Sequence, residues 1–250
     1  MHEPVRANKL AMSLEILRYK SLGSTNTKAY QLAERGAREW TVVVSEVQTR
    51  GRGRAGKTWV SARGGLWFSV ILRPSVGAGN AGLLQILAGV SARRAIEKVS
   101  GVKVRLKWPN DLVLAEGKLG GILVETKMVA DAVSFAVLGI GINVNQPERS
   151  PPEGAVSILS ETSRRTSLQK LLAAVLQELR SDYDRLRSAS ELAAEWWRHC
   201  IHRDKTVRVE GSNWVVIGLS TGLSNDGLLL VETRPGKVVT VTEGTLRVLD

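Results

Sequence analysis

Cysteine is nearly missing from this 250-residue chain. Its single thiol, Cys200, has no partner for an internal disulfide, and no Cys/His cluster suggests zinc. Long apolar runs are missing too: stretches such as Leu83–Val90 fall far short of the roughly 20 residues that span a bilayer. Met1–Leu17 has charges scattered through it and no apolar h-region, so no secretory signal is read there. No internal repeat or low-complexity tract is visible. These absences make the cytoplasm the expected compartment and a membrane partner unexpected.

What is present is ordinary in bulk and unusual in places. With 43% hydrophobic and 24% charged residues the chain reads as a globular protein, long enough for one large and one small domain. Its net charge is +11. Nucleic-acid binders are often basic, but so are proteins that handle polyanionic nucleotides or acidic partners. A solvated basic surface explains most such excesses, so the clustering decides. Arg50, Arg52, Arg54 and Lys57 fall within eight residues, interleaved with Gly51, Gly53 and Gly56. That local density favours an anionic ligand.

The pattern predicts strands at Leu14–Tyr19, Thr41–Glu46 and Leu66–Leu72, with Ser24 capping a helix that runs to about Arg35. Ala81–Val99 has helical apolar spacing, and four strand-like runs follow at Val102–Lys107, Leu112–Leu114, Leu119–Thr126 and Ala132–Leu138. After a loop rich in proline and charge at Gln146–Gly154, Leu168–Leu186 reads as one amphipathic helix and Glu191–Cys200 as another. From Lys205 onward short strands alternate with turns at Glu210-Gly211, Asn225-Asp226-Gly227 and Arg234-Pro235-Gly236, which predicts a small β-barrel of about five strands.

Residues 107–125 carry the most information. A Trp-Pro-Asn-Asp corner joins two strand runs, and a turn at Ala115–Gly117 delivers Lys118, Gly120 and Gly121 to the next. An acid, an amide and a lysine thereby meet over backbone that a ligand can approach closely. The second informative stretch, Gly51–Thr58, matches both the phosphate-binding P-loop pattern and G-x-G-x-x-G. Both patterns need a helix immediately afterwards, and Trp59–Leu72 is β-rich instead. The glycines leave backbone N–H groups that could form an anion nest, and the arginines add bidentate donors for carboxylate or phosphate.

Four segments occur in a fixed order: Gly23-Ser-Thr-Asn26; Glu46–Trp59; Lys107-Trp-Pro-Asn-Asp111 with Lys118-Leu-Gly-Gly121; and Gly139-Ile-Gly-Ile-Asn-Val-Asn145. Together with Gly64-Gly-Leu-Trp-Phe-Ser69 they closely resemble the biotin protein ligases, which attach biotin to a lysine of carboxylase carrier domains. The resemblance is at motif strength over about residues 14–145 and looser beyond. It implies an α+β fold, with a catalytic domain related to class II aminoacyl-tRNA synthetases over residues 1–202 and an SH3-like barrel over 203–250. It also implies two steps: biotin and Mg-ATP give biotinyl-5′-AMP and pyrophosphate, and the acyl group then passes to the carrier lysine with release of AMP.

The same resemblance assigns residues. Ser24, Thr25, Asn26 and Gln48 would hydrogen-bond the ureido end of biotin, with Gly120 and Gly121 beneath the ligand. Arg52, Gly53 and Arg54 would close over biotin and the adenylate, and Lys118 would contact the biotin carboxylate and the phosphate. Trp59 would pack near the adenylate, Asn143 would read adenine or ribose, and Asn110 and Asp111 would organise the phosphate and Mg²⁺ region. Lys118, Arg54 and Asp111 are the catalytic candidates, Asp111 also as acceptor of the target lysine's proton. The implied partner is a biotin carboxyl carrier protein or domain, and a homodimer is left open because relatives often pair through the catalytic sheet.

Some members of the family carry an N-terminal winged helix and repress biotin genes. Such a module needs about 60 residues with a recognition helix. Only Met1–Gly23 precede the Ser-Thr-Asn motif, so the monofunctional type and no DNA binding are expected. A lipoate–protein ligase shares the fold and the adenylate chemistry, but the polar Ser-Thr-Asn cluster and Gln48 suit a ureido group better than a dithiolane. A non-catalytic biotin-sensing or nucleic-acid-binding protein would have no need for Lys118 and Asp111. Trp196, Trp197, His199 and Cys200 read as helix packing, with no chemistry assigned.

Overall fold

The computed structural model describes residues 14–75, 77, 81–130, 132–147 and 152–249. Most of the expected Met1–Leu17 segment, and part of the Gln146–Gly154 loop, lie outside this range. Seven strands form one mixed sheet: β1 (Glu15–Tyr19), β2 (Thr41–Ser45), β3 (Leu66–Leu72), β4 (Val104–Lys107), β5 (Asp111–Leu114), β6 (Gly117–Val129) and β7 (Ala132–Ile142). Their order across the sheet is β1-β2-β3-β7-β6-β5-β4. Only β1 and β2 run parallel, joined by the crossover helix α1 (Thr25–Glu34).

Residues of opposite parity in these strands serve opposite faces. Val42, Phe68, Val70, Leu138, Ile140 and Ile142 point to the large core, which α2 (Ala81–Ser100), α4 (Leu168–Asp182) and α5 (Ala189–Arg198) cover. Val43, Ile71, Phe135 and Val137 point the other way and pack on Ala29 and Ala33 of α1. Leu84, Leu87 and Val90 of α2 are fully buried, each contributing about 1.5–3 kcal/mol of apolar burial. Between the strands and α4 lies the short α3 (Ile158–Thr162), whose start carries a reciprocal Ser157–Ser160 capping box.

Charged side chains join the helices of the large layer. Arg94 of α2 pairs with Glu178, Asp182 and Glu195, and Arg185 bridges Asp182 and Glu195. Burial pushes the Asp182 carboxyl up, but hydrogen bonds from Arg94, Ser91 and Arg185 outweigh that and hold it below its usual range. The helix expected over Leu168–Leu186 is α-helical only to Asp182; Tyr183–Arg187 tightens into a 3₁₀ turn. Tertiary bonds explain the change, since Asp182 holds Arg94 and the Tyr183 hydroxyl donates to Glu39 at 2.5 Å.

The C-terminal residues form β8 (Thr206–Glu210), β9 (Val215–Leu223), β10 (Leu229–Arg234), β11 (Lys237–Val241) and β12 (Thr245–Val248). They make a separate antiparallel sheet of order β11-β10-β9-β8-β12. Among the described residues no pairing joins β11 to β12, so where a small β-barrel of about five strands was expected there is a five-stranded antiparallel sheet without a closed ring of pairs. Its inward residues Val207, Val209, Leu229, Val231 and Leu246 continue the large core. Among the described residues no helix is long and apolar enough to cross a membrane.

Candidate active site

A cavity of about 1050 Å³ opens on the α1 face of the large sheet. That is at the upper end for a small-molecule site and leaves room for two ligands side by side. Its floor exists because apolar side chains stop. Along this face of β7, Phe135 and Val137 give way to Gly139 and Gly141. Gly121 of β6 lies opposite Gly141, and Asp111 of β5 lies opposite Gly121. A Cβ on Gly139 would meet Asn26 Oδ1 at 2.0 Å, and one on Gly141 would meet Trp59 Nε1 at 2.7 Å. Gly120 faces away: its Cβ would strike Gly141 O at 2.7 Å and Leu112 Cδ1 at 3.0 Å, and it does not line the cavity. Every other residue expected at the site does line it.

At one end the polar groups form a continuous chain. Thr25 donates from its backbone N–H and its hydroxyl to Gln48 Oε1 at 2.7 and 3.0 Å. Gln48 Nε2 donates to Ser61 Oγ at 2.7 Å. Ser69 Oγ lies 2.8 Å from Thr25 Oγ1 and donates to Asn26 Oδ1 at 2.6 Å. Asn26 Nδ2 donates to Glu125 Oε2 at 2.8 Å, and Glu125 holds Arg52 Nη2 at 2.8 and 2.9 Å. Ser24 caps α1, accepting from the Thr27 N–H at 3.4 Å, while its hydroxyl side borders the cavity.

The glycine–arginine loop is closed on itself. Arg52 pairs with Thr58, and the N–H groups of Gly53, Lys57 and Trp59 donate to Lys57, Arg54 and Gly51 carbonyls. It is a small hairpin with a 3₁₀ turn at Arg54–Gly56, so those amides do not form an open nest. No helix follows, which agrees with rejecting the P-loop pattern. Trp59 lies on the glycine floor, edge-on to Trp67 with centroids 6.2 Å apart, and its Nε1 is buried without a hydrogen-bond partner.

At the other end Lys118 Nζ sits 2.6 Å from Asp111 Oδ1 and 5.3 Å from the Trp59 ring centroid. The Asp111 corner is clamped from several sides. Asn110 exchanges bonds with Ile122, its Nδ2 donating to Ile122 O at 2.7 Å, and Gln85 Nε2 donates to Pro109 O at 2.5 Å. The Trp108–Pro109 peptide bond is cis. Asn143 Nδ2 donates to Lys118 O at 3.4 Å. Burial lowers the pKa of the Arg54 guanidinium, with Glu243 and Asp111 opposing the shift. Glu243 belongs to the C-terminal unit, which lends Glu210, Ser212 and Thr245 to the cavity mouth as well. Among the described residues no group of three or more His, Cys, Asp or Glu side chains could hold a metal alone.

His202 sits behind the corner, fully buried. Its Nε2 accepts from the Trp108 N–H at 3.1 Å, and its Nδ1 is 2.8 Å from Ser220 Oγ. Burial, helped by Lys107, pushes the ring down from 6.5 to about 3. The ring is therefore neutral in the folded protein, while in the unfolded chain it titrates near 6.5. Its contribution is complete above pH 6.5 and is lost as pH falls from there toward 3. Urea midpoints are expected to drop over that window more steeply for the native protein than for His202→Gln; equal slopes would count against a neutral buried ring.

Sequence reading gave no site role to Glu125, Ser61, Ser69, His202 or Glu243. Two carried a signal: Ser69 is a lone polar residue in an otherwise apolar strand, and Glu125 shares the period-two face of Gly121.

Residues 19–143 match the biotin/lipoate A/B protein ligase family. The biotin–[acetyl-CoA-carboxylase] ligase of Mycobacterium tuberculosis is 33% identical over 231 residues, covering 89% of this chain and 84% of that protein. The bifunctional ligase/repressor BirA of Bacillus subtilis is 31% identical over 232 residues, covering 90% of this chain and 71% of that protein. The structure of the biotin protein ligase from Aquifex aeolicus in complex with biotin and ATP superposes with a TM-score of 0.79 at 29% identity, covering 94% of this chain and 99% of that one.

Proposed function

Because this chain belongs to the biotin/lipoate A/B protein ligase family, we infer that it is an ATP-dependent biotin ligase whose acceptor is a lysine of a carboxylase carrier domain. One observation carries the reading. A single cavity holds a mixed hydroxyl–amide chain at one end and Lys118 beside Asp111, with Arg54, at the other, across a floor of bare backbone. Biotin has that polarity: a ureido ring at one end and a carboxylate at the other.

The roles follow from placement. Ser24, Thr25, Gln48 and Asn26 face the ureido group, which needs both donors and acceptors. Biotin's carboxylate then points toward Lys118, where it attacks the α-phosphorus of ATP and pyrophosphate departs. Two anions meet in that step, and Lys118, Arg52 and Arg54 supply the fixed positive charge that the transition state needs. Arg52 reaches it by leaving Glu125. Trp59 shields the adenylate from water, and Asn143 stands where the nucleoside lies. Asp111, beside Lys118, would hold the Mg²⁺ that accompanies the triphosphate; one or two carboxylates plus phosphates suit that ion. When bound, Mg²⁺ neutralises the charge of the departing pyrophosphate. In the second step the carrier lysine attacks the acyl carbon and AMP leaves, with Asp111 accepting the proton.

The reading divides the chain into a catalytic unit over residues 1–202 and a small unit of the SH3-like kind over 203–250, whose acidic lip meets Arg54. Pyrophosphate release from Mg-ATP, run with biotin, lipoate and no acid, tests the function. Release with biotin alone is expected, followed by labelling of a carboxylase carrier domain. Release with lipoate but not biotin would move the substrate, and release with neither would overturn the ligase reading.

A further inference from the structure

We propose that His202 is a positioning residue for adenylate formation, holding the Trp108–Asp111 corner so that Asp111 and Lys118 stay aimed into the cavity. The proposal rests on the ligase reading above. The argument begins at the outer edge of β4. Leu106 pairs in parallel with the segment around Cys200, its N–H donating to His199 O at 2.9 Å and its carbonyl accepting from the Ile201 N–H at 2.9 Å. In a strand every second N–H points the same way, so the next one on this edge belongs to Trp108. The 199–201 segment has already turned away there. The ring of His202 takes the place of the missing backbone carbonyl, and Nε2 becomes the last rung of the ladder at 3.1 Å.

This bond can form in only one state of the ring. Trp108 N–H is a donor, so Nε2 must be the unprotonated nitrogen and Nδ1 must carry the hydrogen. Nδ1 then donates to Ser220 Oγ at 2.8 Å, a fully buried hydroxyl on β9. The Trp108 N–H thus fixes the tautomer, Ser220 accepts the hydrogen left on Nδ1, and the C-terminal sheet reaches the catalytic corner through this ring. Beyond Trp108 comes Pro109, which has no N–H and cannot extend the ladder. Without His202 the Trp108 N–H is a buried donor with no acceptor, and the corner keeps its Gln85, Gly227 and Ile122 contacts and the sheet pairing of Asp111 with Lys107 and Gly121. Three residues on from Trp108, Asp111 holds Lys118 at 2.6 Å, so a small shift of the corner moves both reacting-end charges. Displacements of about 1 Å can cost on the order of 10²-fold in rate. The ureido end lies elsewhere, on α1 and in the segment after β2.

Three variants separate the role from general packing. His202→Leu removes both ring nitrogens, His202→Gln places an amide oxygen near Nε2, and Ser220→Ala removes the acceptor that anchors Nδ1. In each, kcat for biotin-dependent pyrophosphate release and KM for biotin are read separately, with hydrogen exchange at the Trp108 amide. His202→Leu is expected to lower kcat about tenfold or more with KM for biotin within about twofold, and to speed Trp108 exchange. His202→Gln recovers most of the rate, and Ser220→Ala falls between. A folded His202→Leu with native kcat, a His202→Gln no better than it, or a loss confined to KM for biotin would each overturn the proposal. Should His202→Leu not fold, the other two decide: a slow His202→Gln whose Trp108 amide stays protected refutes the role. A native protein inactive with biotin would remove the ligase reading and this with it, whereas an active one with unchanged variants removes only this.

Discussion

Lys118→Ala is expected to slow biotin-dependent pyrophosphate release by about 10²–10³-fold, the usual cost of removing one preorganised charge from a reacting centre. Its Nζ stands between Asp111 and the face of Trp59, above the glycine floor. No other lysine lining the cavity takes this position: Lys107 lies on β4 and Lys57 on the exposed side of the loop. The loss should fall mainly on kcat, because the ureido contacts are intact. Lys118→Arg should recover part of it, limited by the compact space beside Asp111. A native rate in Lys118→Ala, measured on protein with an unchanged melting temperature, would remove Lys118 from the chemistry.

Gly139→Ala should have the second large effect, and it falls on binding. The new methyl would sit 2.0 Å from Asn26 Oδ1, so the amide must move. Asn26 is only 4% exposed and holds Ser69, Leu123 O and Glu125 at once, so any shift breaks the chain that reaches Thr25 and Arg52. Overpacking of this kind costs about 1–3 kcal/mol of stability. Biotin affinity by calorimetry should fall by tenfold or more, equivalent to about 1.4 kcal/mol. Undiminished affinity would mean that Asn26 is not needed for biotin and that the chain can rearrange freely.

The parts of the site that were legible in the sequence are those where a short stretch creates its own geometry. Gly23–Asn26 makes a helix cap, Gly51–Thr58 a hairpin, and Lys107–Gly121 a corner, turn and strand head, and all three line the cavity. Gly120 and Gly121 looked equivalent as a pair, but β6 is extended there, so only one of them can face a ligand. Glu125 was missed because its partners come from register: Asn26 is 99 positions away and Arg52 is 73. His202 and Glu243 were missed for the same reason, as they belong to a turn and to the β11–β12 connection, which meet the site only after folding. In the C-terminal unit the strand count was readable from turns, whereas closure of the sheet depends on edge pairing that no local pattern specifies.

The glycines of the floor have a consequence for the folding of the whole α1 layer. That face of the sheet carries a second, smaller core, and it ends where Gly139, Gly141 and Gly121 begin. A pocket here is made by leaving side chains out, each a forgone burial of about 1.5–3 kcal/mol had it been a valine or leucine. The ligand supplies the contacts that the chain omits. On the proposed reading, biotin is a removable piece of the interior as well as a substrate. Its binding feeds directly into the folding equilibrium, because only the folded chain offers the gap it fills.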